Sequence, residues 1–206
     1  MTWFRPLAVL LIVLLPAIAG AIEDIDFQQL LEEGGLEFLP PQDMRAMKVE
    51  PAYVMPYEAR YVSKGGDLEV RYAIRPLRRI EIDYQDPHNA APAPNDLFNM
   101  LFRTLSETLA RDHQVMSRIY PANKAREEYR AGWAAVAVFD LSPDVSQEYR
   151  EAMLIAIHQN DKADAYTLFL TNDLAAQKTI IKKLRGNLRF RVFEKVNTAS
   201  GVGTPR

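Results

Sequence analysis

Residues 57–74 read YEARYVSKGGDLEVRYAI, and the fold class follows from this stretch. Gly65-Gly66 separates two runs of alternating apolar and polar residues. A two-residue Gly-Gly loop suits a primed turn, in which both residues accept positive φ. Pairing outward from it sets Lys64 opposite Asp67, Ser63 opposite Leu68, Tyr61 opposite Val70, and Ala59 opposite Tyr72. The apolar partners then share a face with Tyr57 and Ile74. The other face collects Glu58, Arg60, Glu69 and Arg71, and strict alternation predicts that it is wet and its charges are solvated cross-strand pairs.

Further strands are expected on both sides of this hairpin. Arg150–His158 and Asp164–Thr171 form a second hairpin around residues 159–163, and Trp133–Leu141 (WAAVAVFDL), apolar on both faces, reads as a central strand. Gly35–Leu39 reads as a first strand closed by Pro40-Pro41, residues 45–56 as irregular or an edge, and Ile80, Ile82 and Tyr84 as a third strand. Four helices complete the pattern. The first spans residues 24–33, with Asp24 as cap and Gly34-Gly35 as stop. The second starts at Asn95 or Asp96 and runs to about Arg111, with Leu97, Leu101, Leu105 and Leu109 as its buried stripe and Phe98 and Phe102 beside it. A short, exposed helix is expected over 122–131. The last, 173–189, is capped by Asn172 or Asp173 and buries Leu174, Ile181, Leu184 and Leu188. Gln85–Asn95 (QDPHNAAPAPN) holds three prolines and three alanines and is not regular structure. No internal repeat is present. The pattern is α+β: an antiparallel sheet with helices packed on it.

The N-terminus reads as an export signal. Arg5 supplies a basic start, Leu7–Leu15 an apolar core broken by Pro16, and Ala19-Gly20-Ala21 the small residues that a signal peptidase reads. The plain alternative is an uncleaved anchor, since the charge-free run from Pro6 to Ile22 is about 17 residues, the lower limit for spanning a bilayer. With cleavage before Ile22, residues 1–21 are the signal peptide, 22–196 a single α+β domain with its core at about 36–190, and 197–206 a disordered tail. The expected location is periplasmic or extracellular. There is no cysteine, which excludes disulfides, thiolate catalysis, cysteine-bound zinc and a lipidated N-terminal cysteine. The net charge of −2 gives the whole molecule no pull on nucleic acid. Charge is nonetheless uneven. Seven acids and no base lie between Ile22 and Met44, and seven bases and one acid between Lys178 and Lys195.

The GLEFLPP strand, the YEARYVSKGGDLEVRYAI hairpin and the terminal hairpin leading into a helix that ends in LRF (Leu188–Phe190) resemble, in their order, the PsbP-like fold. The resemblance covers about residues 36–190, implies an α/β/α sandwich, and leaves the segment 78–95 without a counterpart. That fold hosts unrelated roles, so it implies accessory or binding functions by analogy and transfers no functional residue.

Candidate chemistry is sparse. His88, with Asp83, Asp86 and Asn89 close in sequence, is the histidine best placed for binding or acid–base work, set against ordinary turn chemistry in the Asp-Pro and His-Asn pairs. His113 follows a helix end, and His158 lies at a hairpin mouth near Asp161 and Asp164. No HExxH, Gly-x-Ser-x-Gly or Ser-x-x-Lys occurs. Lys178, Lys182, Arg185 and Arg189 recur at i, i+4, i+7 and i+11, a single stripe that suits anionic headgroups or an acidic partner, or else a solvated helix face. These residues imply no metal and no cofactor. The leading expectation is a non-enzymatic envelope protein that binds a protein or small molecule. A hydrolase with a dispersed site near His88 and a peripheral lipid-surface protein using the basic helix are the alternatives. Gln85–Asn95 is expected to be a recognition or gating loop, set against a tolerated insertion.

Overall fold

The computed structural model describes residues 26–83, 85, 88 and 92–192. The elements run α1 (Phe27–Glu33), β1 (Leu36–Phe38), β2 (Met44–Met47), β3 (Ala59–Ser63), β4 (Leu68–Pro76), α2 (Phe98–Leu109), β5 (Met116–Ile119), α3 (Ala122–Tyr129), β6 (Trp133–Asp140), β7 (Glu151–Gln159), β8 (Ala163–Thr171), α4 (Leu174–Leu184) and β9 (Leu188–Phe190). β2 to β8 form one antiparallel sheet in the order β2-β3-β4-β8-β7-β6-β5, and β1 pairs with β9 as a separate ribbon. The class is α+β, as the sequence implies.

The first hairpin has the expected register, with Ala59 opposite Tyr72 and Tyr61 opposite Val70. Its turn differs. The Gly66 amide donates to the Ser63 carbonyl, and Gly66, at φ 75°, is the one of the two glycines with positive φ. Ser63 Oγ donates to Asp67 at 2.5 Å and accepts from the Leu68 amide at 3.1 Å, so side chains share in closing the loop.

The hairpin's charged face is not wet. Glu69 is 1% exposed and Arg71 8%, because Met55, Tyr57 and Tyr149 fold over that side of β4. Glu69 accepts from Arg60 at 2.8 Å and from Arg71 at 2.6 Å, and the Arg71 guanidinium lies 4.8 Å from the centre of the Tyr57 ring. Tyr57 has crossed to this side from the face expected for it, since β3 begins only at Ala59. Glu58 is half-buried, where burial pushes its carboxyl above the usual range despite Arg75 at 2.8 Å.

Two apolar layers enclose the sheet. On one face Tyr72, Ile74, Phe169 and Ile155 pack with Leu30 of α1, Tyr129 of α3, Ile181 of α4 and the β1–β9 ribbon. On the other, Leu154, Leu168 and Phe139 pack with Phe102 and Leu109 of α2. β8 is buried at all nine positions and is the true centre. β6 is next to the edge strand β5; it reads as central because Ala134 is covered on one face while Ala135 and Ala137 lie in the α2-side layer. β5 itself, absent from the sequence reading, is exposed throughout.

Several boundaries move. The first helix is capped by Asp26, which accepts from the Gln28 amide, while Asp24 lies outside the described residues. Residues 77–79 form a 3-10 turn, and 80–83 pair with no strand; Tyr84 lies outside the described residues. α2 starts at Phe98 without a side-chain cap, and its buried residues are Phe102, Ser106 and Leu109, whereas Leu101 is 37% exposed. α3 is not simply exposed, since Ala125 and Tyr129 are fully buried. α4 ends at Leu184, and Leu188 and Arg189 belong to β9. Residues 45–56 do include an edge strand, β2. Five of the eleven residues of Gln85–Asn95 lie outside the described residues, but Asn95 is fixed: it donates to Asp161 Oδ1 and accepts from the Asp161 amide, both at 2.8 Å. The end of that connection is thus pinned to the β7–β8 turn.

Candidate functional site

The Asp173 carboxylate accepts from the Ala176 amide, and Glu151 on β7 accepts from the Leu174 amide at 2.7 Å, so two carboxylates hold the positive end of α4 against the sheet. From that anchor α4 packs against β7 and β8, turning Ile181 into the core. β6 and β5 extend the sheet beyond the helix. The result is a groove of about 930 Å³ between α4 on one side and β5 on the other.

Strand register orders the groove into rows. Met116, Val138 and Met153 lie side by side across β5, β6 and β7, followed by Arg118, Val136 and Ile155. The floor is therefore aliphatic, and the backbone polar groups beneath it are paired within the sheet. The rim is basic. Helical spacing puts Lys178, Lys182 and Arg185 along the α4 side, and Arg118 faces them from β5. Arg185 is tied to Glu128 at 3.1 Å, and Arg118 lies 5.7 Å from the Tyr120 ring centre. Among the described residues, Lys178 and Lys182 make no ion pair. Among the described residues, no acid lines this part of the groove. Past Met116 it runs into a second recess of about 570 Å³ that shares Val138 and Leu174 and is bounded by Asp140 and Glu151. Charge thus changes sign along the groove, with apolar surface between.

Of the residues singled out from sequence, the structure brings together Lys178, Lys182 and Arg185. Arg189 is not part of the stripe: on β9 it donates to Glu37 at 2.5 Å, and Arg130 reaches the same carboxylate at 2.9 Å. Burial pushes the Glu37 carboxyl up, but the two guanidinium groups outweigh it and hold the group below its usual range. Among the described residues, Glu37–Arg189 is the one ion pair that joins the acidic N-terminal segment to the basic C-terminal one. Glu33, by contrast, is held well below the usual carboxylate range by Arg79 and Arg78, neither of them from the C-terminal segment. His88 is exposed, and Asp86 and Asn89 lie outside the described residues.

His158 proves to be a core residue, 1% exposed. Its Nδ1 lies 2.7 Å from Asp164 directly across the β7–β8 pair, its Nε2 2.9 Å from Asn160, and Phe98 stacks on the ring at 4.2 Å. A buried Asp–His pair covered by an aromatic ring fastens α2 to the hairpin. His113 meets the Glu107 carbonyl at 2.9 Å, a helix-end contact. Among the described residues, no three histidine or acidic side chains cluster as a metal site would need, and no helix is long and apolar enough to cross a membrane.

Sequence reasoning missed Arg118 and the floor residues Val136, Val138 and Met153. The signal for Arg118 is faint: Val115–Tyr120 (VMSRIY) is a short β-prone run without flanking alternation.

No protein-family model matches the chain, and no curated protein matches it. Among solved structures it is similar to the solution structure of cyanobacterial PsbP (CyanoP) from Synechocystis sp. PCC 6803, at 12% identity and a TM-score of 0.42, covering 77% of this chain and 88% of that one. The likeness is a weak one of fold, in the direction that the order of elements suggests.

Proposed function

We propose that this is an exported, non-enzymatic accessory or binding protein that captures a partly apolar, anionic ligand in the groove between α4 and β5. One observation carries the reading: the basic stripe of α4 does not stand on an open solvated face but edges an aliphatic trough, with Arg118 opposite it. A cation stripe alone is ordinary helix surface. Cations on both sides of an uncovered apolar floor give a site with a place for charge and a place for hydrocarbon. Export rests on the Arg5, Leu7–Leu15, Ala19-Gly20-Ala21 succession, and an N-terminus at Ile22 in the native protein tests it.

Two fluorescent probes test the groove. Anilinonaphthalene sulfonate carries an anion, and phenylnaphthylamine is its neutral relative. The protein should bind both, the anion more tightly. Met153→Trp, which fills the floor, should weaken both probes, and Lys178→Ala with Lys182→Ala should weaken the anion alone. Binding of neither probe, or binding untouched by either set of substitutions, would remove the groove from consideration.

A further inference from the structure

We infer that the groove's ligand is a monomeric single-chain anionic amphiphile, with a carboxylate or phosphate head at Arg118, Lys178 and Lys182 and its alkyl chain lying along Val136, Val138 and Met153. This rests on the groove being the binding site and adds the class of ligand. The first argument is the nature of the floor. Beneath the floor β6 and β7 are bonded on both edges, so the trough presents aliphatic side chains, while the unpaired groups of the edge strand β5 point outward in the plane of the sheet, away from it. A peptide laid there would leave its own amides unpaired against hydrocarbon, which is costly. An alkyl chain has no such groups to satisfy.

The second argument is direction. Arg118 pairs with Val136, and Asp140 and Glu151 close the trough at its other end. An anion is drawn to the first end and repelled from the second, so the chain can lie in only one sense. The third argument is length. From Val136 to Asp140 the strand rises about 13 Å. A carbon–carbon bond of about 1.5 Å, projected on an extended chain, fills that span with roughly ten carbons.

A chain-length series tests this, using sodium alkanoates from hexanoate to tetradecanoate below their micelle concentrations, with displacement of anilinonaphthalene sulfonate and calorimetry as readouts. Affinity should rise about two- to fourfold per added methylene, because one side of the chain stays in water, and should level off near decanoate. Decanol should bind at least tenfold more weakly than decanoate, and Lys178→Ala with Lys182→Ala should abolish that preference. Val138→Asp, placing a carboxylate on the chain's path, should weaken decanoate, with circular dichroism and Tm of that same variant showing that it remains folded. The inference is overturned if the sulfonate probe binds but alkanoates do not displace it. It is equally overturned if affinity is independent of chain length, or if the protein sediments with anionic phospholipid vesicles yet binds no monomeric alkanoate. Because the sulfonate probe reports on the groove separately, failure of the ligand class and failure of the site give different results.

Discussion

Glu69 sits at 1% exposure between Arg60 and Arg71, and the pattern that put it on a β-strand gave no warning of its burial. The two arginines compensate it within hydrogen-bond distance, so each charge depends on the others. Glu69→Ala would leave two guanidinium groups facing each other in a covered layer, and should cost about 3–5 kcal/mol by urea denaturation. Arg60→Ala should cost less, since Arg71 still holds the carboxylate. Glu37 supplies a second residue-scale test, this time of pH. Its folded-state pKa is lowered, so its contribution is present above the unfolded value and is lost as pH falls through the folded one. Glu58 works in the opposite sense. Its folded value is raised, so its charged form costs stability at neutral pH, and acidification relieves that cost. Glu37→Gln should therefore lower stability by about 1 kcal/mol or less at pH 7, because the group is partly exposed, and should flatten the decline of Tm on the acid side. An unchanged acid slope would show that Arg189 and Arg130 do not hold that carboxylate in solution.

Among elements, α2 separates pattern from placement. Leucines at 97, 101, 105 and 109 suggest a stripe, yet the helix turns Phe102, Ser106 and Leu109 inward and leaves Leu101 at 37% exposure. The i+4 series drifts around a helix of 3.6 residues per turn, and with Phe98 and Phe102 adjacent, two apolar faces compete. Contact with Trp133 selects the aromatic one, since the Phe98 and Phe102 rings lie 4.9 and 5.7 Å from the indole. Phe102→Ala should cost about 3–5 kcal/mol, and Leu101→Ala well under 1 kcal/mol, in the same denaturation assay. Equal costs would mean the helix is rotated. α4 shows a similar division. Its cap at Asn172 or Asp173 and its basic spacing were legible, but its end was not, because Leu188 continues the apolar period after the helix has stopped at Leu184.

At the scale of the whole molecule, the two ends of the described chain meet. β1 and β9 are three-residue strands with no place in the large sheet, and they pair Leu36 with Phe190 over the core. Both side chains are at most 1% exposed, so the ribbon serves as a lid on one layer. Phe190→Ala should cost about 3–5 kcal/mol and speed amide exchange at Leu36 and Phe38. If β1 keeps its protection in that variant, the ribbon is not a coupled unit.

What the amino-acid sequence determined by itself is local or nearest-neighbour in character: the register about Gly65-Gly66, the second hairpin, a cap for α4 at Asn172 or Asp173, the α+β class and the spacing of Lys178, Lys182 and Arg185. Each follows from periodicity or turn chemistry over a few residues. The tertiary structure decided what lies above each strand face and beside each helix. It buried Glu69 and Arg71 under Tyr57 and Tyr149, made β8 rather than β6 the centre, and set Arg118 across from the α4 lysines over an aliphatic floor. Burial and groove formation depend on packing between segments distant in the chain, and a pattern of period two or 3.6 says which face a side chain takes without saying what will cover it.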